Sequence, residues 1–233
     1  MRHLATLCLV LAIVVGANAQ TTTTFDDLGE FTGVRVSSAF QVDLVRGDAY
    51  AAEVTVPDRV ADRVSVEVDD GILVIELKRG SSVNMRGRER LSAVVTLPML
   101  EAIDASGATE VRSEDRWEGD ALAIGASGAA DIELDLAVNS LAISASGASD
   151  IDLTGEATQL TVDCSGASDV DAEELIAANV TVSSSGASDV SVHAEESIVA
   201  TASGGSDIRY SGKAERVSVD ASGGSDIHGP KGQ

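Results

Sequence analysis

Ser146-Gly147-Ala148-Ser149-Asp150-Ile151 is one statement of a phrase that the chain makes seven times. It first reads Ser106-Gly-Ala-Thr-Glu-Val111, then Ser127-Gly-Ala-Ala-Asp-Ile132. After 146–151 it recurs at 165–170 and 185–190, and as Ser-Gly-Gly-Ser-Asp-Ile at 203–208 and 222–227. The starts at 106, 127, 146, 165, 185, 203 and 222 give steps of 21, 19, 19, 20, 18 and 19 residues. Self-similarity at such a period marks stacked units rather than a site copied seven times.

The residues between the phrases carry the strand signal. Leu122-x-Ile124-x-Ala126 leads into one copy, Leu141-x-Ile143-x-Ala145 into the next and Leu160-x-Val162-x-Cys164 into the one after. Ile132-x-Leu134, Ile151-x-Leu153 and Val190-x-Val192 lead out. Alternation with period two is the pattern of half-buried strands. A turn of about 19 residues cannot bury its apolar face alone, but stacked turns can, each pairing its backbone with the next at about 4.8 Å. The expected fold is all-β, a right-handed parallel β-helix (β-solenoid), with equivalent residues in ladders along the axis.

Three ladders follow from this register. Gly107, Gly128, Gly147, Gly166, Gly186, Gly204 and Gly223 form the structural corner, where glycine permits a backbone conformation costly for other residues. Ala105, Ala126, Ala145, Cys164, Ser184, Ala202 and Ala221 are always small and mark a tight spot beside it, so Cys164 reads as a small buried residue rather than a nucleophile. Glu110, Asp131, Asp150, Asp169, Asp189, Asp207 and Asp226 form a carboxylate ladder. Its first expected role is to close each turn by bonding local N–H groups. Its alternative role is to hold cations, Ca²⁺ being suited to oxygen ligands. The nine-residue calcium solenoid motif is not matched, because the spacing here is Gly-x-x-Asp. No other cofactor is expected.

Ahead of the repeats, alternation appears at Val34 to Leu44, Val54 to Val56, Val64 to Val68, Ile72 to Leu77 and Leu91 to Leu97. Asp69-Asp70-Gly71 reads as a turn. The segment Lys78 to Arg90, with five basic residues in thirteen, reads as a solvated loop or a docking patch for an anionic surface. Residues 20–30 read as a flexible polar tail, 31–228 as one domain and 229–233 as a short C-terminal tail.

The first nineteen residues read as a secretory signal peptide: Met1-Arg2-His3, an apolar run from Leu4 to Gly16, then Ala17-Asn18-Ala19 as a cleavage site. The run falls short of the roughly 20 apolar residues that span a bilayer. Export to the periplasm, the cell surface or the medium is expected, with no membrane span after cleavage. Removal of the peptide leaves Cys164 as the one cysteine, so no internal disulfide forms.

Charge excludes several partners. The formal net charge is −22, or −23 once Arg2 is gone. Between Arg116 and Arg209 there is no Lys or Arg, while 117–208 carries seventeen Asp and Glu. Nucleic acid and anionic lipid both need a basic footprint that this body lacks. Such acidity also fits a protein adapted to high salt, where screening suppresses self-repulsion.

Catalytic readings are thin. A polysaccharide-acting enzyme on this fold is the competing class, but it needs aromatic platforms and loops that build a cleft. Six aromatic residues occur, and Trp117 reads as a cap over the side of the solenoid. His193 and His228 lie in no catalytic or zinc motif, and the Ser-Gly phrase joins strand to strand, unlike a phosphate loop.

With these features in place, the chain resembles the exported-protein family known as putative auto-transporter adhesin, head GIN domain. The resemblance rests on Phe31-Thr-Gly-Val-Arg-Val-Ser-Ser-Ala-Phe-Gln-Val-Asp-Leu44, on Asp70-Gly-Ile-Leu-Val-Ile75 and on the repeats ending in Ser206-Asp-Ile-Arg-Tyr-Ser-Gly212. It implies the β-helix fold for roughly 31–228 and brings no catalytic residues. The expected function is therefore a non-enzymatic binding, adhesion or scaffold module. Its partner is a glycan or protein of the cell envelope or surroundings, and end-to-end self-association through open strand edges is a further expectation. The residues given contain no translocation barrel of alternating strands with aromatic girdles, so adhesion is carried by analogy.

Overall fold

A computed structural model of the chain describes residues 20–78 and 89–230. The signal peptide (1–19), residues 79–88 of the basic segment and the last three residues lie outside the described part.

The repeats wind as the spacing requires. In chain order the strands are β1 (Gln20–Phe25), β2 (Gly33–Val36), β3 (Phe40–Arg46), β4 (Ala51–Pro57), β5 (Val64–Asp69), β6 (Ile72–Leu77), β7 (Leu91–Leu97) and β8 (Ala102–Gly107). They continue as β9 (Glu110–Gly128), β10 (Asp131–Ala145), β11 (Asp150–Cys164), β12 (Asp169–Gly186), β13 (Asp189–Gly204), β14 (Asp207–Gly212), β15 (Arg216–Ala221) and β16 (Asp226–His228). One short 3-10 helix, Asp58–Arg63, follows β4. From β9 to β13 each strand runs 15 to 19 residues, most of a coil, and breaks only at the Ser-Gly corner. The result is a right-handed parallel β-solenoid with coils of about 19 residues.

Register is residue on residue. Ile132 pairs with Ile151, Leu134 with Leu153 and Leu141 with Leu160. The apolar ladders fill one continuous interior that runs from Phe31 to Ala214. The longer coils absorb their extra residues as local register shifts, at Ser113–Asp115 against Leu134 and at Glu173–Glu174 beyond Asp152. Trp117 is buried at 2% exposure and stacks in register with Leu136. It therefore lies inside the coil, which corrects its reading as a cap over the side. The alternation holds from Val111 to Trp117, with positions 111, 113, 115 and 117 turned inward and 112, 114 and 116 outward, and the polar Ser113 and Asp115 at half-buried inward positions hide it in the sequence.

The N-terminal third is not threaded in chain order. The coil made by β2 and β3 lies between the coil of β6 and β7 and the coil of β8 and β9. Antiparallel strands then close this head. β5 runs along β6, β4 along β7, and β1 along β4. Residues 20–25 are thus an edge strand rather than a flexible tail. The signal was there in Thr21 to Thr24, since β-branched threonine favours strands, but no apolar alternation announced it. Thr22 meets the Thr55 hydroxyl at 2.8 Å and Thr21 donates to Asp58 Oδ1 at 2.7 Å. A polar outer strand of this kind blunts an edge that would otherwise invite pairing.

The corner explains why glycine recurs. All seven corner glycines have φ between +78° and +90°. A Cβ on Gly147 would also stand 2.6 Å from the Gly128 carbonyl oxygen and 2.8 Å from its nitrogen. The reason for that closeness is a hydrogen bond: Ala148 N–H donates to Gly128 O at 2.7 Å, and the same bond recurs coil after coil. Gly29 also has positive φ (+77°), but open space surrounds it. Gly29→Ala should therefore cost about 1 kcal/mol for backbone strain alone, and Gly147→Ala about 3 kcal/mol or more for strain plus collision. Denaturant unfolding of the two variants beside the parent measures the contrast, and equal costs would refute the close-approach account.

Candidate functional site: the acidic face

The parallel register builds this face from two columns. Glu110, Asp131, Asp150, Asp169, Asp189, Asp207 and Asp226 pair in sequence across successive coils. Two residues on, Glu133, Asp152 and Asp171 stack beside them, because residues i and i+2 of a strand share a face. A shallow groove runs over Glu110, Arg112, Asp131, Glu133, Asp150, Asp152, Asp169 and Asp171.

The aspartates do not close their turns, contrary to the sequence reading. Asp131, Asp150, Asp169, Asp189 and Asp226 are exposed, and it is their backbone N–H groups that bond the coil below. The hydroxyl one residue earlier closes the corner from inside. Thr109 Oγ1 donates to Ser106 O at 2.6 Å, and Ser168, Ser188 and Ser206 donate to the carbonyls of Ser165, Ser185 and Ser203 at 2.9 to 3.0 Å. These residues are almost fully buried. A serine three residues past the carbonyl can reach back to it with little loss of rotamer freedom, whereas a charged carboxylate would not survive that burial. The signal available in the sequence was the recurrence of Ser or Thr at this position across the seven copies, with Ala130 as the exception.

Cations gather at the two ends of the face, with Arg112 lining the head end of the groove. At the head end Gln41 Nε2 donates to Glu110 Oε2 at 2.5 Å, Arg90 Nη1 donates to Gln41 Oε1 at 2.8 Å, and Arg112 reaches Glu110 and Asp43. At the other end Arg209 stands 3.8 Å from Asp207. Among the described residues, Asp131, Glu133, Asp150, Asp152, Asp169 and Asp171 have no ion pair in the structure. Asp152 records the consequence: partial desolvation pushes its pKa up, and the charges of Asp171, Glu133 and Glu174 push it further. No group of three or more His, Cys, Asp or Glu among the described residues converges as a metal site would require. The columns present carboxylates in file, one per coil, rather than in a cage.

Two other sequence candidates have clear places. Cys164 is buried in the small column, and its thiol donates to Ser168 O at 3.4 Å; burial raises its pKa, so the nucleophilic thiolate is disfavoured. His193 bridges Glu195, at 2.9 Å from Nε2, and Ser211, at 3.1 Å from Nδ1. This Ser–His–Glu chain was not foreseen, since Ser211 reaches His193 only through the pairing of β13 with β14. It lacks the rest of a hydrolase. Lys213 N–H and Ala214 N–H, the nearby donors, both bond the Ala194 carbonyl and offer no oxyanion site. The bond from His193 holds Glu195 below the usual carboxylate pKa, with Lys213 assisting.

A comparison with known proteins now has geometry to meet. The family model described as "Putative auto-transporter adhesin, head GIN domain" matches residues 30–214. The chain belongs to this family. Its fold is also that of solved relatives. A crystal structure of a "putative adhesin" from Bacteroides fragilis superposes with TM-score 0.86 at 23% identity, covering 92% of this chain and 98% of that one. Another adhesin so described, from Parabacteroides merdae, gives 0.70 at 17% identity, covering 91% and 96%. A "Putative lipid binding protein" from Parabacteroides distasonis gives 0.67 at 16%, covering 91% and 97%. No curated protein sequence matches the chain. By family this is an exported, adhesin-like β-solenoid module with a non-cytoplasmic location. No helix among the described residues is long and apolar enough to cross a membrane.

Two measurements test the electrostatic picture. A raised folded-state pKa at Asp152 means that its contribution to stability is full below the unfolded value of 3.8 and lost as pH rises through the folded value. Asp152→Asn should therefore be more stable than the parent at pH 7, by roughly a few tenths of a kcal/mol at low salt. The gap should close toward pH 4 or in molar NaCl, and a gap that persisted there would contradict the mechanism. In thermal melts, millimolar Ca²⁺ should raise Tm no more than Mg²⁺ at equal concentration, the signature of screening without a site.

Proposed function

We propose that this protein is a non-enzymatic binding module of the cell envelope or its exterior, which engages its partner across the flat lateral faces of the solenoid. The observation that supports this most is the uniform length of the coils. Steps of 18 to 21 residues leave no long loop among the repeats to wall a cleft. Among the described residues no aromatic side chain is fully exposed, and Trp117, Phe31 and Phe40 are interior, so a sugar-stacking platform is missing where a polysaccharide-acting enzyme needs one.

The acidic face sets the sign of the partner. A repulsive potential over three or more consecutive coils disfavours nucleic acid, sulfated glycans and anionic lipid at contact. A neutral glycan or a basic protein surface meets no such barrier. Export by the N-terminal peptide places the module in the periplasm, at the cell surface or in the medium.

The test is a binding screen of the mature chain, residues 20–233, against neutral and sulfated glycans and intact bacterial and epithelial cells, run beside a reducing-end assay on the same polysaccharides. Saturable retention on a neutral glycan or a cell surface, with no release of reducing ends, is the expected outcome. Polysaccharide cleavage would overturn the proposal in favour of the enzyme.

A further inference from the structure

The two ends of the solenoid are built differently. The head is closed by antiparallel strands, but the last coil is bare. β15 pairs with β13 on one side, and no described strand pairs with its other side. All six of its residues are exposed. Val217 and Val219 are 40% and 49% exposed, whereas Ile198 and Ala200, one coil below in the same columns, are at 0% and 1%. The core columns thus run out into solvent at this end.

The backbone of β15 fixes what can be added. Ser222 N–H donates to Ala202 O, so by the alternation of a parallel ladder the even-numbered residues of β15 bond β13. The N–H and C=O groups of Val217 and Val219 therefore point to the open edge. An antiparallel strand that is a second β15, centred on Ser218, satisfies them. In that register Val217 faces Val219 of the other copy, with both backbone bonds made, and Ser218 faces itself. Arg216 then stands opposite Asp220, twice by symmetry. Apolar meets apolar on the inner side and opposite charges meet on the outer side. Any one-residue slip would break both matches.

Charge supports the same occupant. The body from 117 to 208 carries seventeen acids and no Lys or Arg, and two such bodies repel. From Arg209 to the end there are four Lys or Arg against three Asp or Glu, so the open end carries none of the body's excess acidity. We propose that the protein forms a two-fold, tail-to-tail dimer in which β15 of one copy pairs antiparallel with β15 of another about Ser218. The two acidic bodies then point away from each other, and the closed heads prevent growth into a filament. This inference is independent of the ligand-binding role.

Sedimentation velocity of the mature chain over a range of concentrations tests it, with circular dichroism confirming that each variant folds. A dimer is expected, weakened by about tenfold or more in Val219→Asp. Arg216→Asp alone and Asp220→Arg alone should weaken it, and the two together should restore it. Ser218→Cys should give a disulfide-linked dimer under mild oxidation, because the opposed, non-hydrogen-bonded pair sets Cα atoms about 4.5 Å apart. Buried Cys164 should take no part. A monomer at every concentration, a concentration-driven polymer, absence of the crosslink in the Ser218→Cys variant, or failure of the double exchange to restore pairing would each overturn the proposal.

Discussion

The hydrogen bond from the residue after each corner glycine to the glycine carbonyl of the coil below constrains everything else in this molecule. At 2.7 Å it leaves no space for a Cβ on the upper glycine, and it forces every coil to repeat the path of its neighbour. Once the path repeats, the register repeats, and like residues stack on like. The interior benefits because Leu, Ile and Val columns stack into one buried cluster beside the small column of Ala, Cys and Ser. The buried hydroxyls of Ser168, Ser188 and Ser206 complete the corner by bonding carbonyls that the turn would otherwise leave unpaired.

The same register has a cost on the outside. Two strands running antiparallel can place Glu against Arg, but a parallel repeat places Asp on Asp. Unit charges about 4.8 Å apart repel by about 0.9 kcal/mol even at the dielectric of water. The chain limits this at the ends and by substitution. Gln41 and Arg112 close the column at the head, Arg209 attends it at the tail, and Ser191 interrupts the second column after Asp171. The acidity of the face is thus first a consequence of how the fold stacks, and its use in selecting a partner builds on that consequence.

Legibility in the sequence followed the period. Coil length, the corner glycines, the inward columns and the buried state of Cys164 could all be read, because each is a statement about residues some 19 apart. The closing hydroxyl was misassigned to aspartate because both types favour turns, and burial, which separates them, is not visible in a single phrase. Trp117 shares the inward phase of Val111, but Ser113 and Asp115, polar residues at the inward positions between them, mask the apolar alternation that would report it. The Ser211–His193–Glu195 chain was hidden because one of its links crosses between coils. The head was legible as strands but not as an order of strands. Alternation at Val34 to Leu44 says nothing about which coils will lie on either side.

That head also differs in kind from the repeats. Within the repeats, contacts join residues about 19 apart, whereas β2 must meet β6 across 39 residues and β8 across 69. Closing a loop of 69 rather than 19 residues costs about 1 kcal/mol more in chain entropy. The corner there lacks glycine too: Ser38 and Ala39 take φ of +75° and +68° beneath Gly107. A strained corner and a long closure are offset by packing: Phe31, Phe40 and Leu44 are wholly buried among β6, β7 and β8 residues. The head carries two of the three largest aromatic anchors of the core, and the tail carries none. A solenoid stabilised in this way is sealed at one end by its own side chains and open at the other, so polarity along the axis is a property of the sequence before any partner arrives.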